Sequence, residues 1–232
     1  MLQRNLHGRH LKVLGLSALM LAGTGFIGDA SALAKDTATA IFAGGCFWSV
    51  QSDLDHAPGV IKTTTGYMGG TQPNPTYEQV GEGDQDGNPT GYREAVKVEY
   101  DPSVTSYDKL LTAYWHLTDP TDDTGQFCDK GDSYRPAIFP LDADQYSRAS
   151  ASKDQIAKDL GKPIATGIIK AQGLTFWPAE GYHQEFWQGT DQFQPGYTRA
   201  QWYKMYRQGC GKNASVASLW GDKAFEGLNG HE

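Results

Sequence analysis

The chain has 232 residues, with 27 acidic and 20 basic side chains and a formal net charge of −7. Its basic residues are scattered rather than clustered, so the charge pattern is not that of a nucleic-acid-binding protein. After residue 34 no stretch is apolar enough to span a bilayer. Aromatic residues make up 12% of the chain, and many lie beside Gly and Pro, which favours pocket walls built from loops.

The first 34 residues have the pattern of a secretory signal peptide. A basic leader is followed by an apolar core at 13–27 and by small residues at Ala32-Leu33-Ala34. The same run could remain as an uncleaved membrane anchor, although it is short for a spanning helix and is interrupted by glycine. We therefore expect a cleaved signal at 1–34, export, with the periplasm as destination, and one catalytic domain at 35–232.

The first part of this domain alternates strand and helix patterns. Thr37–Ala43 alternates as a strand, Gly44-Gly45 turns the chain, and Phe47–Ala57 has the periodicity of a helix. Val60–Tyr67 is rich in β-branched residues, which is typical of a strand. Tyr77 is expected to open a short helix or turn.

The middle of the chain continues the mixture. Ala95–Tyr100 is predicted to be a strand, and Thr105 with Asp108 makes a capping-box signal for a helix that ends near Leu117. Asp119–Ser133 is polar and irregular, and a loop of that length is usually functional or disordered.

The remaining elements complete the fold prediction. Ala137–Leu141 and Ile164–Lys170 are predicted strands on either side of a helix at Asp142–Leu160, and a tail helix is expected from Arg199 to Arg207. Together the elements predict an α+β fold. We expect a single two-layer domain with a mixed β-sheet, helices packed on it and a loop-rich C-terminal part.

The chain has three cysteines, Cys46, Cys128 and Cys210. An odd number cannot be fully paired within one chain, so at least one thiol is left over. None of the pairs has the two-residue spacing of a zinc knuckle, and we expect no metal site.

Cys46 lies in the stretch AIFAGGCFWSV, between two glycines and two aromatic residues. A strand, a Gly-Gly turn and a helix in that order place the sulfur at a helix N-terminus, where unpaired N–H groups favour negative charge. The pattern therefore predicts a lowered thiol pKa and a nucleophile. The alternative is a buried structural cysteine that packs as a small apolar side chain.

Phe47 and Trp48 follow the cysteine directly. Adjacent helical side chains point about 100° apart, so both cannot easily face the core, although one of them could. An aromatic pair beside a thiol would hold an apolar group such as a methyl.

Five sequence blocks occur in an order that resembles the peptide methionine sulfoxide reductase A family. They are GCFW, GYMGGTQPNPTY at 66–77, REAVKVEYDP at 93–102, YRPAIFP at 134–140 and the pair His183-Gln184. The similarity extends from about residue 40 to residue 211. It implies a two-layer α+β fold and thiol-dependent reduction of protein-bound and free methionine (S)-sulfoxide.

The resemblance also implies roles for matching positions. Cys46 would attack the sulfur of the sulfoxide, and Glu94 would donate a proton to its oxygen. The expected substrate-binding residues, which form the methyl pocket and the polar surroundings of the oxygen, are Phe47, Trp48, Tyr77, Asp129 and Tyr134.

The chemistry explains these residue types. A sulfoxide oxygen leaves poorly unless it is protonated, so the acid must keep its proton near pH 7, which requires apolar surroundings. Judged by its residue type alone, Glu94 is also typical of an exposed glutamate at a sheet edge. His183 could support a site tyrosine or could be a purely structural histidine.

The other two cysteines fit the recycling half of such a reaction. A sulfenic acid at Cys46 would condense with a second thiol to form a disulfide. Cys210 matches a resolving cysteine of the family, and its flanking glycines suggest a mobile tail. Cys128, next to Asp129, could be an alternative resolver, a relay or a spare thiol.

The resemblance implies no bound cofactor, an external dithiol reductant of the thioredoxin type, and oxidised proteins or peptides as substrates. We expect the enzyme to be a monomer. Two alternatives remain open from the residues alone. A thiol peroxidase would use the same thiolate on peroxide, and an exported aromatic-lined binding module would carry purely structural cysteines.

Overall fold

The computed structural model describes residues 36–83 and 87–230, so the signal sequence expected at 1–34 lies outside the described residues. The strands are β1 (Ala38–Ala43), β2 (Val60–Met68), β3 (Arg93–Tyr100), β4 (Gly125–Gln126), β5 (Asp129–Lys130), β6 (Ala137–Ile138), β7 (Gly167–Ile168), β8 (Trp177–Pro178), β9 (Gln192–Gln194) and β10 (Tyr197–Thr198). The helices are α1 (Phe47–Leu54), α2 (Tyr77–Glu82), α3 (Tyr107–His116), α4 (Ala143–Leu160), α5 (Arg199–Cys210) and α6 (Lys212–Trp220).

Six of the strands form one mixed sheet in the order β7-β6-β1-β3-β2-β8. Neighbouring strands are antiparallel except for the parallel pair β6 and β7. The long central strands β1, β2 and β3 set the register, in which Tyr67 lies opposite Glu94. Two short hairpins, β4-β5 and β9-β10, lie outside the sheet.

The two faces of the sheet are covered differently. Because side chains alternate along a strand, Val96 and Val98 of β3 join the main core with the apolar side chains of the helices, while Ala95 points to the opposite face. The second face is covered by apolar residues of the loop that contains Ile169 and Leu174. Glu94 has the same parity as Val96 and therefore lies on the helical face.

Several predicted boundaries shift in the structure. Helix α1 ends at Leu54 rather than Ala57, and the side chain of the next residue, Asp55, accepts hydrogen bonds from Thr63 (2.7 Å) and Trp187 (2.9 Å). The predicted capping box of Thr105 and Asp108 is wrong, because Ser106 rather than Thr105 caps helix α3.

That cap of α3 is Ser106, whose hydroxyl accepts the backbone N–H of Lys109 at 3.3 Å. Three further strand predictions are corrected in length. β3 begins two residues earlier than predicted, and the strands expected at Ala137–Leu141 and Ile164–Lys170 pair over two residues each. The irregular loop at Asp119–Ser133 contains the hairpin β4-β5.

The C-terminal segment is more helical than its glycines suggest. Helix α5 runs past the predicted end at Arg207 to Cys210, and Gly211, with a φ of 69°, joins it to α6. Cys210 therefore lies at a helix end rather than in a mobile tail. Among the described residues, no helix is both long enough and apolar enough for a membrane span.

A buried ion cluster holds these two helices against α1. Asp53 of α1 binds Arg207 of α5 through one carboxylate oxygen and Lys212 of α6 through the other, each at 2.7 Å. Arg207 also donates to Tyr203 (2.7 Å) and Asn213 (2.9 Å). All three charged side chains are buried, so each depends on its partners for its polar interactions.

Asp53→Asn is expected to lower the free energy of unfolding by about 3–5 kcal/mol, because it leaves two buried cations without their counter-charge. Urea unfolding followed by circular dichroism measures this loss. The control is Asp144→Asn, which breaks an exposed pair with Arg148 and should cost less than about 1 kcal/mol. Equal losses of unfolding free energy in the two variants would contradict the conclusion that the Asp53 cluster holds α5 and α6 against α1.

Candidate active site

A glycine turn between β1 and α1 positions the thiol of Cys46. Gly45 has a φ of 85°, and a Cβ atom there would lie 2.6 Å from the Cβ of Gln126, so the turn requires glycine. Cys46 is the N-cap residue of α1, and its carbonyl accepts the N–H groups of Ser49 (3.0 Å) and Val50 (3.2 Å). Its side chain is free and 8% exposed.

The thiol is protonated in this environment. Burial raises the pKa of Cys46 far above its ordinary value, and the carboxyls of Glu94 and Asp129 raise it further. The nearby Tyr206 hydroxyl and Trp48 backbone lower the pKa of the thiol but do not compensate. The prediction of a lowered thiol pKa is therefore wrong for the substrate-free protein, since desolvation raises this pKa by more than the helix N-terminus lowers it.

Glu94 is hydrogen-bonded to the turn that carries the cysteine. Its Oε2 accepts the backbone N–H of Phe47, the residue after Cys46, at 2.8 Å, and the side chain is only 2% exposed. Burial raises the pKa of Glu94 to about 8, the Phe47 hydrogen bond opposes the rise, and the charge of Asp129 adds to it. The carboxyl therefore holds its proton at pH 7, which is the state the predicted acid requires.

Tyr77 and Tyr134 are near both Glu94 and Cys46, and their hydroxyls interact with each other. Burial raises the pKa of Tyr77 to about 12, with Glu94 as the next contribution, and burial also raises the pKa of Tyr134. Both phenols are neutral donors over the physiological pH range.

The two aromatic residues after the cysteine separate as their helical positions predict. Phe47 is fully buried and packs against Tyr77 with ring centroids 6.4 Å apart. Trp48 is half-buried and stacks on Phe186 at 3.7 Å. One aromatic side chain thus belongs to the core and the other forms an outer wall.

His183 supports both the tryptophan and a site tyrosine, since its ring centroid lies 4.5 Å from that of Tyr77. Trp48 Nε1 donates to His183 Nδ1 at 3.0 Å, so the ring proton lies on Nε2. Burial lowers the pKa of His183 to about 4, although Glu180 and Glu78 oppose the shift. The neutral imidazole therefore fixes the orientation of the Trp48 ring.

The remaining two cysteines are joined in a Cys128–Cys210 disulfide, with Cα atoms 5.1 Å apart. Neither predicted pairing with Cys46 is present in this state, and the thiol left over by the odd count is Cys46. Cys128 is exposed on the β4-β5 hairpin, and its backbone N–H lies 3.2 Å from Cys210 Sγ. The disulfide therefore joins the two candidate resolving residues to each other.

A cleft of about 10 Å³ separates Cys46 from this disulfide, room for no more than about one water molecule. Cys46, Cys210, Asp129, Tyr206 and Lys212 line it. Cys128 is not among its lining residues. Glu94, Tyr77 and Tyr134 are likewise not among the residues that line this cleft, which Cys46 shares with Cys210.

Tyr206 and Lys212 are site residues that the sequence analysis missed. Tyr206 donates a hydrogen bond to Asp129 Oδ2, and its ring meets Trp48 edge-on at 6.1 Å. A helix extended to Cys210 would have revealed Tyr206, since residues four apart share a helical face. Lys212 carries no local signal, because its neighbours in space come from distant parts of the chain.

The described residues contain a cluster of three groups of the kinds that bind metal ions, Cys128, Asp129 and Cys210, whose potential ligand atoms lie within 4.8 Å of one another. Two of these atoms are the sulfurs of the disulfide, which offer no thiolate. In the oxidised state this cluster therefore does not match the donor set of a zinc site.

Comparisons with known proteins agree with this geometry. A family model described as peptide methionine sulfoxide reductase matches residues 38–215. Peptide methionine sulfoxide reductase MsrA 2 of Rhizobium meliloti is 44% identical over 198 residues, which cover 85% of this chain and 91% of that protein. MsrA of Bacillus subtilis is 42% identical over 191 residues, covering 82% and 98%.

A solved structure is also similar. Methionine sulfoxide reductase A of Corynebacterium diphtheriae superposes with a TM-score of 0.61 at 30% identity, covering 69% of this chain and 78% of that chain. This similarity confirms the predicted α+β fold with its mixed sheet.

A buried thiol at a helix start, a protonated carboxyl beside it and a separate disulfide define a thiol-dependent oxidoreductase. The chain belongs to the peptide methionine sulfoxide reductase family, MsrA. Its reaction is the thiol-dependent reduction of methionine (S)-sulfoxide to methionine. Family membership thus decides against the thiol peroxidase and the binding module.

The protonation state of Glu94 is directly measurable. Infrared difference spectra of the wild type and Glu94→Gln should show one buried carboxylic C=O band at pH 7, which disappears with a midpoint near pH 8 because burial raises the pKa of this group. The control Glu99→Gln changes a partly exposed carboxyl of the same strand and should leave the band in place. A Glu94 already ionised at pH 6 would refute the assignment.

Proposed function

We propose that Cys46 is the nucleophile of this reductase and Glu94 its general acid. The observation that carries the proposal is the hydrogen bond from the Phe47 N–H to Glu94, which ties a buried, protonated carboxyl to the turn that bears the free thiol. Cys46 and Glu94 together place a nucleophile for the sulfoxide sulfur next to a proton donor for the sulfoxide oxygen.

The first step transfers oxygen from substrate to enzyme. The Cys46 sulfur attacks the sulfoxide sulfur, and Glu94 protonates the oxygen while Tyr77 and Tyr134 donate hydrogen bonds to it. The attack forms a bond between the two sulfurs; the hydroxyl then moves to the Cys46 sulfur as a sulfenic acid, and methionine leaves with both electrons of the sulfur–sulfur bond. The sulfenic acid keeps the one proton that Glu94 delivers, and the proton that the thiol gives up balances it, so the step takes up no net proton.

Phe47 and Trp48 are the proposed wall for the methyl group of the substrate. Their positions support this role, since Phe47 is fixed in the core and Trp48 is held by His183 and Phe186. A rigid apolar wall on one side and hydrogen-bond donors on the other would fix the orientation of the sulfoxide. Such a fixed orientation is what discrimination between the two epimers requires.

Cys210 is the proposed resolving cysteine, and Cys128 acts after it. Cys210 lines the cleft that contains Cys46, whereas Cys128 is exposed on the hairpin. The Cys210 thiolate would attack the sulfenic acid, release water and form a Cys46–Cys210 disulfide. The Cys128 thiolate would then attack Cys210, restore the Cys46 thiol and leave the Cys128–Cys210 disulfide of this structure.

The same disulfide supports an external dithiol of the thioredoxin type as electron donor. Cys128 is the exposed residue of the disulfide. The Cys210 sulfur faces the Cys128 N–H and shares a cleft with Lys212, and both the N–H group and the ammonium group stabilise a thiolate at Cys210. The donor would therefore attack Cys128 and release Cys210. We further propose that the segment 1–34 directs export, so that the electron donor must be periplasmic. A demonstration that no periplasmic dithiol reduces the Cys128–Cys210 disulfide would refute the proposal of a periplasmic donor.

Cys46→Ser should abolish reduction of methionine (S)-sulfoxide with dithiothreitol, since serine is not a comparable nucleophile. Glu94→Gln should lower kcat/KM at pH 7 by about 10²- to 10⁴-fold, the usual contribution of a general acid. Glu99→Gln is the matched control and should retain wild-type activity. Turnover by Cys46→Ser would overturn the assignment of the nucleophile.

The order of the two resolving cysteines can be mapped by mass spectrometry after reduced protein reacts with substrate in the absence of reductant. Cys128→Ser should accumulate a Cys46–Cys210 disulfide, because the second exchange is blocked. Cys210→Ser should instead retain a sulfenic acid at Cys46. Formation of a Cys46–Cys128 disulfide in Cys210→Ser at the rate seen for the Cys46–Cys210 disulfide would reverse the order.

A further inference from the structure

The resting thiol of Cys46 must lose a proton, and the structure shows one connected acceptor for it. The Tyr206 hydroxyl lies close enough to Cys46 to lower the pKa of its thiol, and it donates its own proton to Asp129 Oδ2. All three side chains line the same small cleft. They form a chain from the thiol through a phenol to a carboxylate.

Other titratable groups that face the thiol are less suited to accept its proton. Besides Tyr206, the titratable groups around Cys46 are Glu94 on β3, Asp129 on β5, Tyr77 on α2, Tyr134 in the short helix before β6, and Lys212 on α6. Glu94 already holds a proton at pH 7 and has to deliver it to the substrate. The phenols of Tyr77 and Tyr134 are neutral donors, and Lys212 is a cation paired with Asp53.

Asp129 is in a different environment from Glu94. Burial raises the pKa of Asp129, but the Tyr206 hydrogen bond and the ammonium groups of Lys212 and Lys130 oppose the rise. Glu94 has no such cation among its neighbours, and its pKa rises to about 8. The two carboxyls that face one thiol are therefore separated into an acid and a base by their surroundings.

We propose that Tyr206 is a catalytic residue that passes the thiol proton of Cys46 to Asp129 as the sulfur attacks. This inference rests on the proposed function of Cys46. The S–H bond breaks and the phenol oxygen takes its proton, while the phenol O–H bond breaks and its proton moves to Asp129 Oδ2. Tyr206 stays neutral throughout, the sulfur becomes a thiolate and Asp129 becomes a carboxylic acid, so protons and charge balance within the site.

The relay has a consequence for the pH dependence of the reaction. Because the thiol proton stays in the site, the reactive form of the enzyme carries as many protons as the resting form. Glu94 is protonated in both forms. The rate should then fall as the pH rises through about 8, where Glu94 ionises. If the thiol proton were instead lost to water, the reactive form would carry one proton fewer, and the rate would rise with pH and level off near 8.

Alkylation of Cys46 tests the relay without any sulfoxide. With the Cys128–Cys210 disulfide intact, Cys46 is the single thiol of the chain, and iodoacetamide is the probe. Tyr206→Phe keeps the ring against Trp48 and removes the hydroxyl. It should slow alkylation at pH 7 on the order of tenfold, the factor that corresponds to one hydrogen bond to a charged group.

Tyr203→Phe is the matched control for this experiment. It removes another buried phenol of α5, one that binds Arg207 instead of the thiol, and should leave the alkylation rate unchanged. Alkylation of Tyr206→Phe at the wild-type rate would overturn the relay. That result would leave the proposed function intact, because the measurement involves neither methionine sulfoxide nor Glu94 as acid.

The wild-type profile of kcat/KM for methionine (S)-sulfoxide against pH provides a readout that needs no variant. The relay predicts a decline above about pH 8, while a rate that rises up to pH 8 and stays level above it would refute the relay. In Tyr206→Phe the thiol proton has no internal route, so the profile should change to the rising form. An unchanged declining profile in this variant would equally refute the role of Tyr206.

Discussion

The hydrogen bond from the Phe47 backbone to Glu94 is the interaction on which the site depends. It joins the first turn of α1 to the central strand β3, so that the position of the thiol and that of the acid are set together. Glu94 faces the helices because it has the parity of Val96 and Val98 in a strand paired on both sides. A one-residue slip of β3 would turn the carboxyl to the opposite face of the sheet and separate acid from thiol.

Burial sets the protonation of the whole site. Removal of water raises the pKa of the Cys46 thiol and keeps the Glu94 carboxyl protonated at pH 7. A neutral thiol is a weak nucleophile and is less easily oxidised than a thiolate. The anionic form is then needed only when a sulfoxide is bound, and Tyr206 and Asp129, which line a cleft with Cys46, supply an acceptor for its proton.

Local patterns predicted much of the fold and the first half of the site. The predicted strand begins at Ala95 and leaves Glu94 outside it, but the Gly-Gly-Cys turn and the different directions of Phe47 and Trp48 follow from short-range periodicity. The pairing of Cys128 with Cys210 does not, because three cysteines allow three pairings and the sequence holds no distance between them. Tyr206 and Lys212 reach the site through the Asp53 ion cluster, which joins residues more than 150 positions apart.

Transfer of oxygen from a sulfoxide to Cys46 is the step on which all the later chemistry of this enzyme depends. In the Cys128→Ser, Cys210→Ser double variant no thiol can resolve the product, so a single exposure to methionine (S)-sulfoxide without reductant stops after this step. Intact-protein and peptide mass spectrometry should find one methionine released per chain and one added oxygen atom, located on Cys46. Methionine release with no oxygen on residue 46, or oxygen found on another residue, would contradict the account.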